Sequence, residues 1–425
     1  MNSSGIFFRS KTVGPRVQYT VSELFERRLG INPQLLTEAE PCPEGSICIH
    51  YGFPGGDVHF PSSGILDETG TRQFTCNPNW NADDSELRDT QGKLTSGDIP
   101  GLVFWLLSRY EEYQKDVVWD HHGRFSSLNN ILIRKNLHQT PLIELWISKL
   151  AEKLKFLGIE INKPKPTKVL SLDLDNPTAF LQKGFVRNNM GTGIDLATLN
   201  FKNAWSRWMV LLGKKKDPFE NMEHLTNVFE SAAIRPDLFA WIGDYGPFDK
   251  GLNHQNKYFR TLVKTLSKSY GIGLHPSYGS FLNEEKIQME KKRLESLIEF
   301  PVVKNRFHFL RFQVATSYKI LEDLGFKEDF SMGFSEFSGF RAGTGNPFLW
   351  YDLNEERTST LLIHPFCFMD STAHFSLKIS SEEFLNMVQK QFEVAKNLGF
   401  SVHTIFHNEH PAWNGWSNAT EKYLK

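Results

Sequence analysis

The part of the chain that follows residue 167 alternates short apolar segments, typical of buried strands, with longer segments of helical apolar spacing. The strand-like segments are 168–172, 238–242, 272–274, 307–312 and 401–406. The helix-like segments are 220–232, 257–268 and 284–299, with a further helix from a capping box at 380–383 to Gly399. Repeated units of this length require parallel strands with right-handed crossovers. The sequence therefore predicts an α/β fold, either a barrel or a doubly wound sheet.

A different region precedes these repeats. It is richer in Gly, Pro and Asn, with a strand-like run at 46–51 and helix-like segments at 102–113 and 141–156. Residues 161–166 are poor in apolar side chains and contain two prolines, which is typical of a linker. We therefore expect a smaller α+β accessory domain over residues 1–162 and a barrel domain over residues 167–425. No chemistry is evident in the first domain.

The charge balance excludes some classes of function. Lys and Arg number 48 and Asp and Glu 49, so the chain as a whole has no field that favours nucleic acid or an anionic membrane. The lysine run 214–216 is interpreted as a solvated turn. No stretch approaches the ~18–20 apolar residues of a transmembrane helix. We expect neither a nucleic-acid partner nor a transmembrane segment.

The cysteines and the first residues bear on the compartment. Four cysteines lack the paired spacing of a zinc site, and they are Cys42, Cys48, Cys76 and Cys367. We expect reduced thiols in a cytoplasmic protein, although Cys42 and Cys48 could form a disulfide in an oxidising compartment. The first residues lack the apolar core and cleavage site of a signal peptide, which agrees with a cytoplasmic location.

Carboxylates follow the first predicted strand of the barrel, at the end where active sites of such folds lie. Asp173 and Asp175 are separated by one residue. One carboxylate of such a pair can bind a metal while the other accepts a proton from water. The alternative is a helix-capping turn, because Asn176 and Pro177 follow.

Histidines follow three other predicted strands. His275 could bind a divalent metal, with Ser277 and Tyr278 as neighbours, or it could be a hydrogen-bonded turn residue. Strand alternation in 305–312 places Arg306, His308 and Leu310 on one face, where the alternative is an Arg–carboxylate pair within the fold. His403 and His407 would share a face of the last strand, with His407 at its carboxyl end.

An arginine between small residues, Arg341, is a further candidate, because its neighbours allow other groups to approach closely. The following Gly343-Thr344-Gly345 is too weak a pattern for a phosphate loop. Asp, His, His, Arg and His thus follow one another at predicted strand ends. Their order, more than any single residue, favours a metal-dependent hydrolase.

These stretches resemble a known family. From about Thr167 onward, SLDLDNPTAF, GDYGPFDK, GLHPSYGS, RFHFLRF, DFSMGF, GFRAGT and IFHNE are similar to the polysaccharide deacetylase family, carbohydrate esterase family 4. The order of the stretches resembles a branch known mainly from Bacteroidetes genomes, in which an uncharacterised N-terminal domain precedes the barrel. RYEEYQ and DHHGRF are similar to that domain. The resemblance implies a bacterial protein with a distorted (β/α) barrel, commonly of seven strands.

The resemblance also implies roles for single residues. Asp173 matches the catalytic base, Asp175 and His275 match metal ligands, and His407 matches the catalytic acid. Arg341 resembles the arginine that orients the catalytic carboxylate. The family's second histidine, four residues after the first, is Gly279 here. A zinc site normally takes at least three protein ligands, so we predict that His308 replaces it. The implied cofactor is Zn²⁺ or another divalent metal.

The resulting hypothesis is a metal-dependent hydrolase that removes an acetyl group, N-acetyl in preference to O-acetyl, from a sugar in glycan or glycolipid metabolism. Its ligand would be an acetylated amino sugar or oligosaccharide. Ser277 would contact the substrate, while Tyr278 and Phe348 could stack on the sugar ring. The alternatives are an inactive deacetylase-like barrel that binds glycan or a protein partner, and another C–N hydrolase on the same barrel.

Overall fold

The structure is a computed structural model that describes residues 5–72 and 97–425. Within these residues the strands form two sheets, one of four strands and one of nine. The small sheet lies in the first region, is parallel throughout and has the order β2-β1-β3-β4. Its strands are β1 Ile6–Ser10, β2 Gln34–Thr37, β3 Ile47–Tyr51 and β4 Val58–Phe60. The helices of this region are α1 Pro15–Val21, α2 Arg27–Leu29, α3 Ile99–Leu107, α4 Ile131–Arg134 and α5 Leu142–Phe156.

The nine-stranded sheet has the order β10-β11-β9-β8-β7-β6-β5-β13-β12. Eight neighbouring strands are parallel, and only the edge strand β10 runs antiparallel, against β11. The strands are β5 Thr167–Leu174, β6 Asp237–Trp241, β7 Ile272–His275, β8 Lys304–Asn305, β9 Glu328–Asp329, β10 Phe348–Asp352, β11 Arg357–Ile363, β12 Phe368–Met369 and β13 Ser401–His407. The two edge strands are not paired with each other, so the sheet is a curled, open half-barrel. This confirms the predicted α/β barrel class.

Helices connect the strands as the apolar spacing predicts. They are α6 Phe185–Ala197, α7 Phe201–Leu211, α8 Met222–Ser231, α9 Lys257–Leu266, α10 Glu284–Ile298, α11 Val314–Asp323, α12 Ser381–Leu398 and α13 Ala419–Leu424. The capping box before α12 is present, since Ser380 and Glu383 each bond the other's backbone N–H, and Gly399 ends the helix at φ 80°. No helix is predicted from the sequence at the positions of α6, α7, α11 and α13.

Two predicted elements are wrong. Strand β8 has only two residues, and a 3-10 turn over His308–Leu310 replaces the expected extended segment. Phe309 in this turn has φ 60°, which ends the strand alternation on which the shared face of Arg306, His308 and Leu310 depended. The helix expected over 102–113 ends at Leu107 and is followed by a separate 3-10 turn.

The cysteines differ from the expectation in part. Cys42 and Cys48 form a disulfide, the alternative that their spacing left open, so the prediction of reduced thiols is wrong for this pair. Cys367 is a buried free thiol. Cys76 lies outside the described residues. Among the helices that the structure describes, none combines the length and apolar character required to cross a bilayer.

A buried ion cluster joins the first region to the barrel. Arg341 follows β9 and donates to both Glu112 carboxylate oxygens at 2.8 Å, and Arg109 donates to Glu112 Oε1 at 2.9 Å. Arg109 also donates to the Arg341 carbonyl at 2.7 Å. All three side chains are buried. Arg109 donates to Glu111 Oε1 as well, at 2.5 Å, so two carboxylates and two guanidinium groups balance in this cluster, and Glu112 bridges the two regions. The boundary at 162–167 stays a prediction.

We expect Glu112→Gln to lower the free energy of unfolding by about 3–5 kcal/mol, because it leaves the buried Arg341 guanidinium without a carboxylate and Arg109 with Glu111 alone. Urea unfolding followed by tryptophan fluorescence measures the change. Lys264→Ala is the control, since its pair with Glu299 is exposed and should contribute nothing measurable. Equal stabilities of Glu112→Gln and the wild type would contradict a structural role for this cluster.

Candidate metal and catalytic site

Two carboxylates lie at the carboxyl end of β5. Asp173 lies on the strand and Asp175 follows its end, and both face His275, whose Nε2 lies 3.8 Å from Asp173 Oδ2 and 3.2 Å from Asp175 Oδ1. The neighbouring strands bring histidines to the same edge. In the pairing of β13 with β5, His407 lies opposite Asp173, and β7 ends at His275 two strands away from β5. The parallel sheet thus gathers residues that are far apart in sequence.

A metal-ligand cluster is formed by Asp175, His275 and His308, whose ligand atoms all lie within 4.8 Å of one another. His275 Nε2 is 3.2 Å from Asp175 Oδ1, and His308 Nε2 is 3.7 Å from Asp175 Oδ2. The structure therefore brings together the three residues predicted as ligands, including His308, even though His308 lies on a turn and not on a strand.

The hydrogen bonds of the two imidazoles fix which nitrogen faces the cluster. His275 Nδ1 bonds the Arg306 carbonyl at 2.5 Å, and His308 Nδ1 bonds Asp249 Oδ1 at 3.0 Å. Carbonyl and carboxylate oxygens only accept, so both Nδ1 atoms carry a hydrogen. In the neutral rings each Nε2 then presents a lone pair toward the Asp175 carboxylate. This is the arrangement in which metal-binding histidines are held by an outer carbonyl or carboxylate.

The cluster fits a divalent cation. Asp175 Oδ1 is buried and receives no hydrogen bond from the described residues. Burial disfavours the charge of Asp175, but His308 and His275 in their protonated forms outweigh it and lower its pKa. When the two rings are neutral, their Nε2 lone pairs face the carboxylate, and a cation between them would supply the positive charge instead. Zinc sites use these imidazole and carboxylate donors, and three of them leave a position open for water or substrate.

The segment around Gly279 has another task than ligation. The backbone N–H groups of Tyr278 and Gly279 donate to Asp249 at 2.9 and 3.2 Å. Asp249 in turn holds His308. Burial would raise the pKa of Asp249, but His308 and the Tyr278 N–H outweigh it and lower it. The turn that contains Gly279 therefore supports the carboxylate that orients His308.

Asp173 is positioned by Arg306. The fully buried guanidinium donates to Asp173 Oδ1 at 2.6 Å and to Ser171 Oγ at 2.5 Å. The other oxygen, Asp173 Oδ2, lies 3.8 Å from His275 Nε2 and 3.8 Å from His407 Nε2. The arginine predicted for this contact, Arg341, does not make it, because the first region supplies Glu112 as its partner.

His407 faces Asp173 from β13 and is held by Asp370. Its Nδ1 lies 2.6 Å from Asp370 Oδ1, and its backbone N–H donates to Asp370 Oδ2 at 2.7 Å. Burial lowers the pKa of His407, but Asp370 and then Asp173 outweigh it and raise the pKa to about 10. The ring is therefore held in its protonated form with Nε2 toward the site.

These residues line a cavity of about 300 Å³. Aromatic walls are provided by Phe309, Phe375 and Trp413, and polar groups by Arg124 and Glu409. Burial, and then Asp175, raise the pKa of Glu409 to about 7. A separate cavity of about 240 Å³ lies in the first region, beside Trp105, Glu111 and Arg134 among others. It does not include the Asp–His cluster, so we place the chemistry in the barrel cavity.

Three residues predicted to touch substrate lie elsewhere. Ser277 is buried and donates to Glu290 Oε1 at 2.6 Å. Phe348 lies on the edge strand β10 with its side chain in the hydrophobic core. Tyr278 packs against Phe248 with ring centroids 4.4 Å apart and does not line the cavity. None of the three therefore lines the cavity, whereas the aromatic residues Phe309 and Trp413 do.

Sequence reasoning missed the residues that orient others. Asp249 lies within GDYGPFDK, away from a predicted strand end. Asp370 directly follows β12, so a search for every Asp at the end of a strand could have found it. Arg306 was noted beside His308, with a carboxylate pair as the alternative, and that pair is the one it forms with Asp173. His403 does not join the site, because its Nε2 lies 2.8 Å from the buried Ser171 Oγ.

Comparisons with known proteins give low similarity. Residues 6–158 match the model of a family of unknown function, DUF7033. No curated protein matches the chain. A Mycobacterium smegmatis structure described as a polysaccharide deacetylase is 11% identical, with a TM-score of 0.40, and the match covers 63% of this chain and 85% of that one.

Two further solved structures have similar values. The match to PuuE allantoinase has 10% identity and a TM-score of 0.39, covering 61% of this chain and 83% of that one. A variant of a carbohydrate esterase family 4 pseudoenzyme with restored activity is 9% identical with a TM-score of 0.28, covering 62% and 64%. The structural neighbours thus include polysaccharide deacetylases, and at these identities the likeness concerns the fold alone.

We expect the purified chain to bind about one Zn²⁺ per molecule, and His308→Ala to lose it as severely as His275→Ala. Asp249→Asn should weaken the affinity roughly 10- to 100-fold, because it releases the ring of His308 but removes no ligand. Mass-spectrometric metal analysis and competition with a chelator measure both effects. His364→Ala, which removes an imidazole paired with Glu328, is the control. Full zinc binding by His308→Ala would exclude it as a ligand.

Proposed function

We propose that the chain is a metal-dependent hydrolase that removes an acetyl group, N-acetyl in preference to O-acetyl, from a sugar in glycan or glycolipid metabolism. The observation that supports this is the placement of Asp173 between the metal-ligand cluster on one side and His407 on the other, at 3.8 Å from a ring nitrogen of each. Hydrolysis of an amide needs a base, an acid and a polarised carbonyl within one pocket. All three functions can be assigned at this cavity.

Asp173 is the base. One of its oxygens is held by Arg306, so the other is free to accept the proton of an attacking water. A bound divalent cation would supply the Lewis acidity that polarises the acetyl carbonyl and acidifies that water. Asp175, His275 and His308 would hold the cation. The buried Arg306 guanidinium holds Asp173 in this orientation.

His407 is the acid. Asp370 binds its Nδ1, so Nε2–H points to the cavity and can protonate the leaving nitrogen when the C–N bond breaks. An amine leaves far more readily with this proton than as an anion. An acid of raised pKa suits an amide more than an ester, because an alcohol requires less assistance, and this favours N-acetyl over O-acetyl substrates.

The walls of the cavity support a sugar ring as the substrate. Phe309 lines the cavity and is about two-fifths exposed. Trp413 also lines the cavity, and its ring packs near those of Phe375 and His407. Aromatic faces pack well against the apolar faces of sugar rings. Arg124 and Glu409 can hydrogen bond hydroxyl groups at the rim.

A binding protein without catalysis is the second candidate. Gly279 in place of a family ligand is the observation that favours it. Metal binding alone does not distinguish the candidates, whereas turnover and its loss in single variants do.

Asp173→Asn should reduce acetate release at least about 10²–10⁴-fold while zinc stays bound, because the base is lost and the ligands are kept. The assay measures acetate released from N-acetylated amino-sugar oligosaccharides and, in parallel, from O-acetylated oligosaccharides. Asp237→Asn makes the same chemical change at the opposite end of the barrel and serves as the control. If zinc-loaded wild type binds these glycans but releases no acetate, the chain is the non-catalytic barrel.

Asp370→Asn should shift the alkaline limb of kcat/KM against pH to lower pH. His407 must be protonated to act, so activity falls as the pH rises through its pKa. Asp370 raises that pKa, and removal of its carboxylate lowers it. A uniform loss of activity with an unchanged alkaline limb would mean that Asp370 supports the fold and not the acid.

A further inference from the structure

Helices α6 and α7, which we call the hairpin, bury polar side chains and expose apolar ones. Arg207 donates to Asp195 Oδ2 at 2.7 Å, and both side chains are buried. Asn188 of α6 is also buried and donates to the Phe180 carbonyl at 3.0 Å. A helix on the surface of a soluble domain normally has the reverse arrangement. Ala204 and Val210 of α7 are buried as well, but the large apolar side chains of the hairpin take no part in these inner contacts.

The apolar residues form stripes on the outside. On α7 and its end they follow helical spacing, i, i+4, i+7 and i+11, and they are Phe201, Trp205, Trp208 and Leu212, with exposures of 60%, 65%, 38% and 63%. On α6, Val186, Met190 and Ile194 are spaced by four residues and are exposed as well. Contiguous apolar surface of this kind marks an interaction site.

The charge of the segment selects the partner. Between residues 182 and 216 the only acidic residue is Asp195, which Arg207 neutralises. Five other cations have no acidic counterpart in this segment, and they are Arg187, Lys202, Lys214, Lys215 and Lys216, while Lys183 is partly buried and interacts with Glu409 and Asp217. The chain as a whole has a formal charge of −1, so the positive charge is local. Two copies of such a surface repel each other, whereas an anionic lipid surface attracts it.

We propose that the hairpin binds the surface of an anionic bilayer. Tryptophan favours the membrane interface, and long lysine side chains can reach the headgroups from helices whose apolar face is inserted. Helices of 13 and 11 residues are about 20 and 16 Å long and cannot span the ~30 Å hydrocarbon core. The hairpin lies in the plane of the interface. The lysine run 214–216 is then part of a binding surface and not merely a solvated turn.

The position of the hairpin links it to the cavity. It follows β5 and the two site carboxylates in the chain. Arg187 donates to the carbonyls of Lys250 and Gly251, next to Asp249, and its guanidinium lies 4.5 Å from the Tyr245 ring centroid. The hairpin and the cavity therefore lie at the same edge of the sheet. Resting on the proposed function, we infer that the substrate is an acetylated sugar attached to a lipid.

Co-sedimentation of the full chain with phosphatidylcholine vesicles, with and without phosphatidylglycerol, tests the surface. Binding should require the anionic lipid and weaken with salt. Trp205→Ser with Trp208→Ser should reduce partitioning about tenfold or more. Changing the three lysines 214–216 to Gln should reduce it roughly 100-fold, since each basic residue near the surface contributes about a fivefold gain. Phe156→Ser removes a 91% exposed side chain on α5 and should have no effect.

Several results would overturn the proposal: no sedimentation with either vesicle, sedimentation unchanged in the tryptophan variant, or a concentration-dependent dimer of the wild type that the tryptophan variant abolishes. The last result would assign the hairpin to a second copy of the chain. Restoration of binding by Trp205→Phe with Trp208→Phe would support insertion, because the phenyl rings keep apolar area. Circular dichroism confirms that each variant is folded.

The inference on the substrate has its own readout. Asp173→Asn should bind vesicles like the wild type, so vesicle binding survives even if the proposed hydrolysis fails. If hydrolysis occurs, the wild type should release acetate faster from lipid-linked acetylated sugar in vesicles than from the free sugar. The tryptophan variant should lose this preference and keep its rate on the free sugar. Equal rates of the wild type on both substrates would contradict the lipid-linked substrate alone.

Discussion

Buried carboxylates at one edge of the large sheet each need a positive partner, and this requirement organises the site. Asp173 is neutralised by Arg306, and Asp370 by His407. Asp249 takes His308 Nδ1 and two backbone N–H groups. Asp175 differs, because its nearest groups are ring nitrogens whose hydrogens point away. The unbalanced charge at Asp175 is what distinguishes this edge, as a candidate metal site, from a set of internal ion pairs.

Much of the barrel could be predicted from the sequence because the relevant signals are local. Apolar spacing sets the strands and helices, and parallel strands place Asp173, His275 and His407 at one edge. The choice of partner for a side chain is not local. Arg341 has small neighbours that suit a contact with a carboxylate, but the carboxylate comes from Glu112, more than 200 residues away. Tertiary contacts of this kind have no sequence signature.

The hairpin was missed for a related reason. An apolar stripe on a helix has the same period whether it faces a core or the outside. Only its environment tells the two apart, and in α6 and α7 the core side is taken by the pair of Arg207 and Asp195. The strand predicted over 307–312 was wrong for a different reason. Phe309 adopts a left-handed backbone conformation, which is uncommon for an aromatic residue.

The first region contributes to the cavity directly. Arg124 lines it and donates to the Phe309 carbonyl at 2.9 Å, and Arg311 donates to the His122 carbonyl at 2.6 Å. One wall of the barrel cavity is therefore fixed by a loop that belongs to the other part of the chain. Substrate selection can change through this loop while the barrel residues stay as they are.

The glycine at position 279 affects how proteins of this kind are recognised. A Cβ atom there would lie 2.7 Å from Lys286 Nζ, and its backbone N–H already supports Asp249. A side chain at 279 would require the flexible end of Lys286 to move, while the backbone N–H of this residue could still donate to Asp249. A search pattern that demands two histidines four residues apart discards such a chain as degenerate. A diagnostic pattern for this fold should instead ask which possible metal ligands lie close together in space. It should also accept a histidine from the turn after the next strand, as at His308.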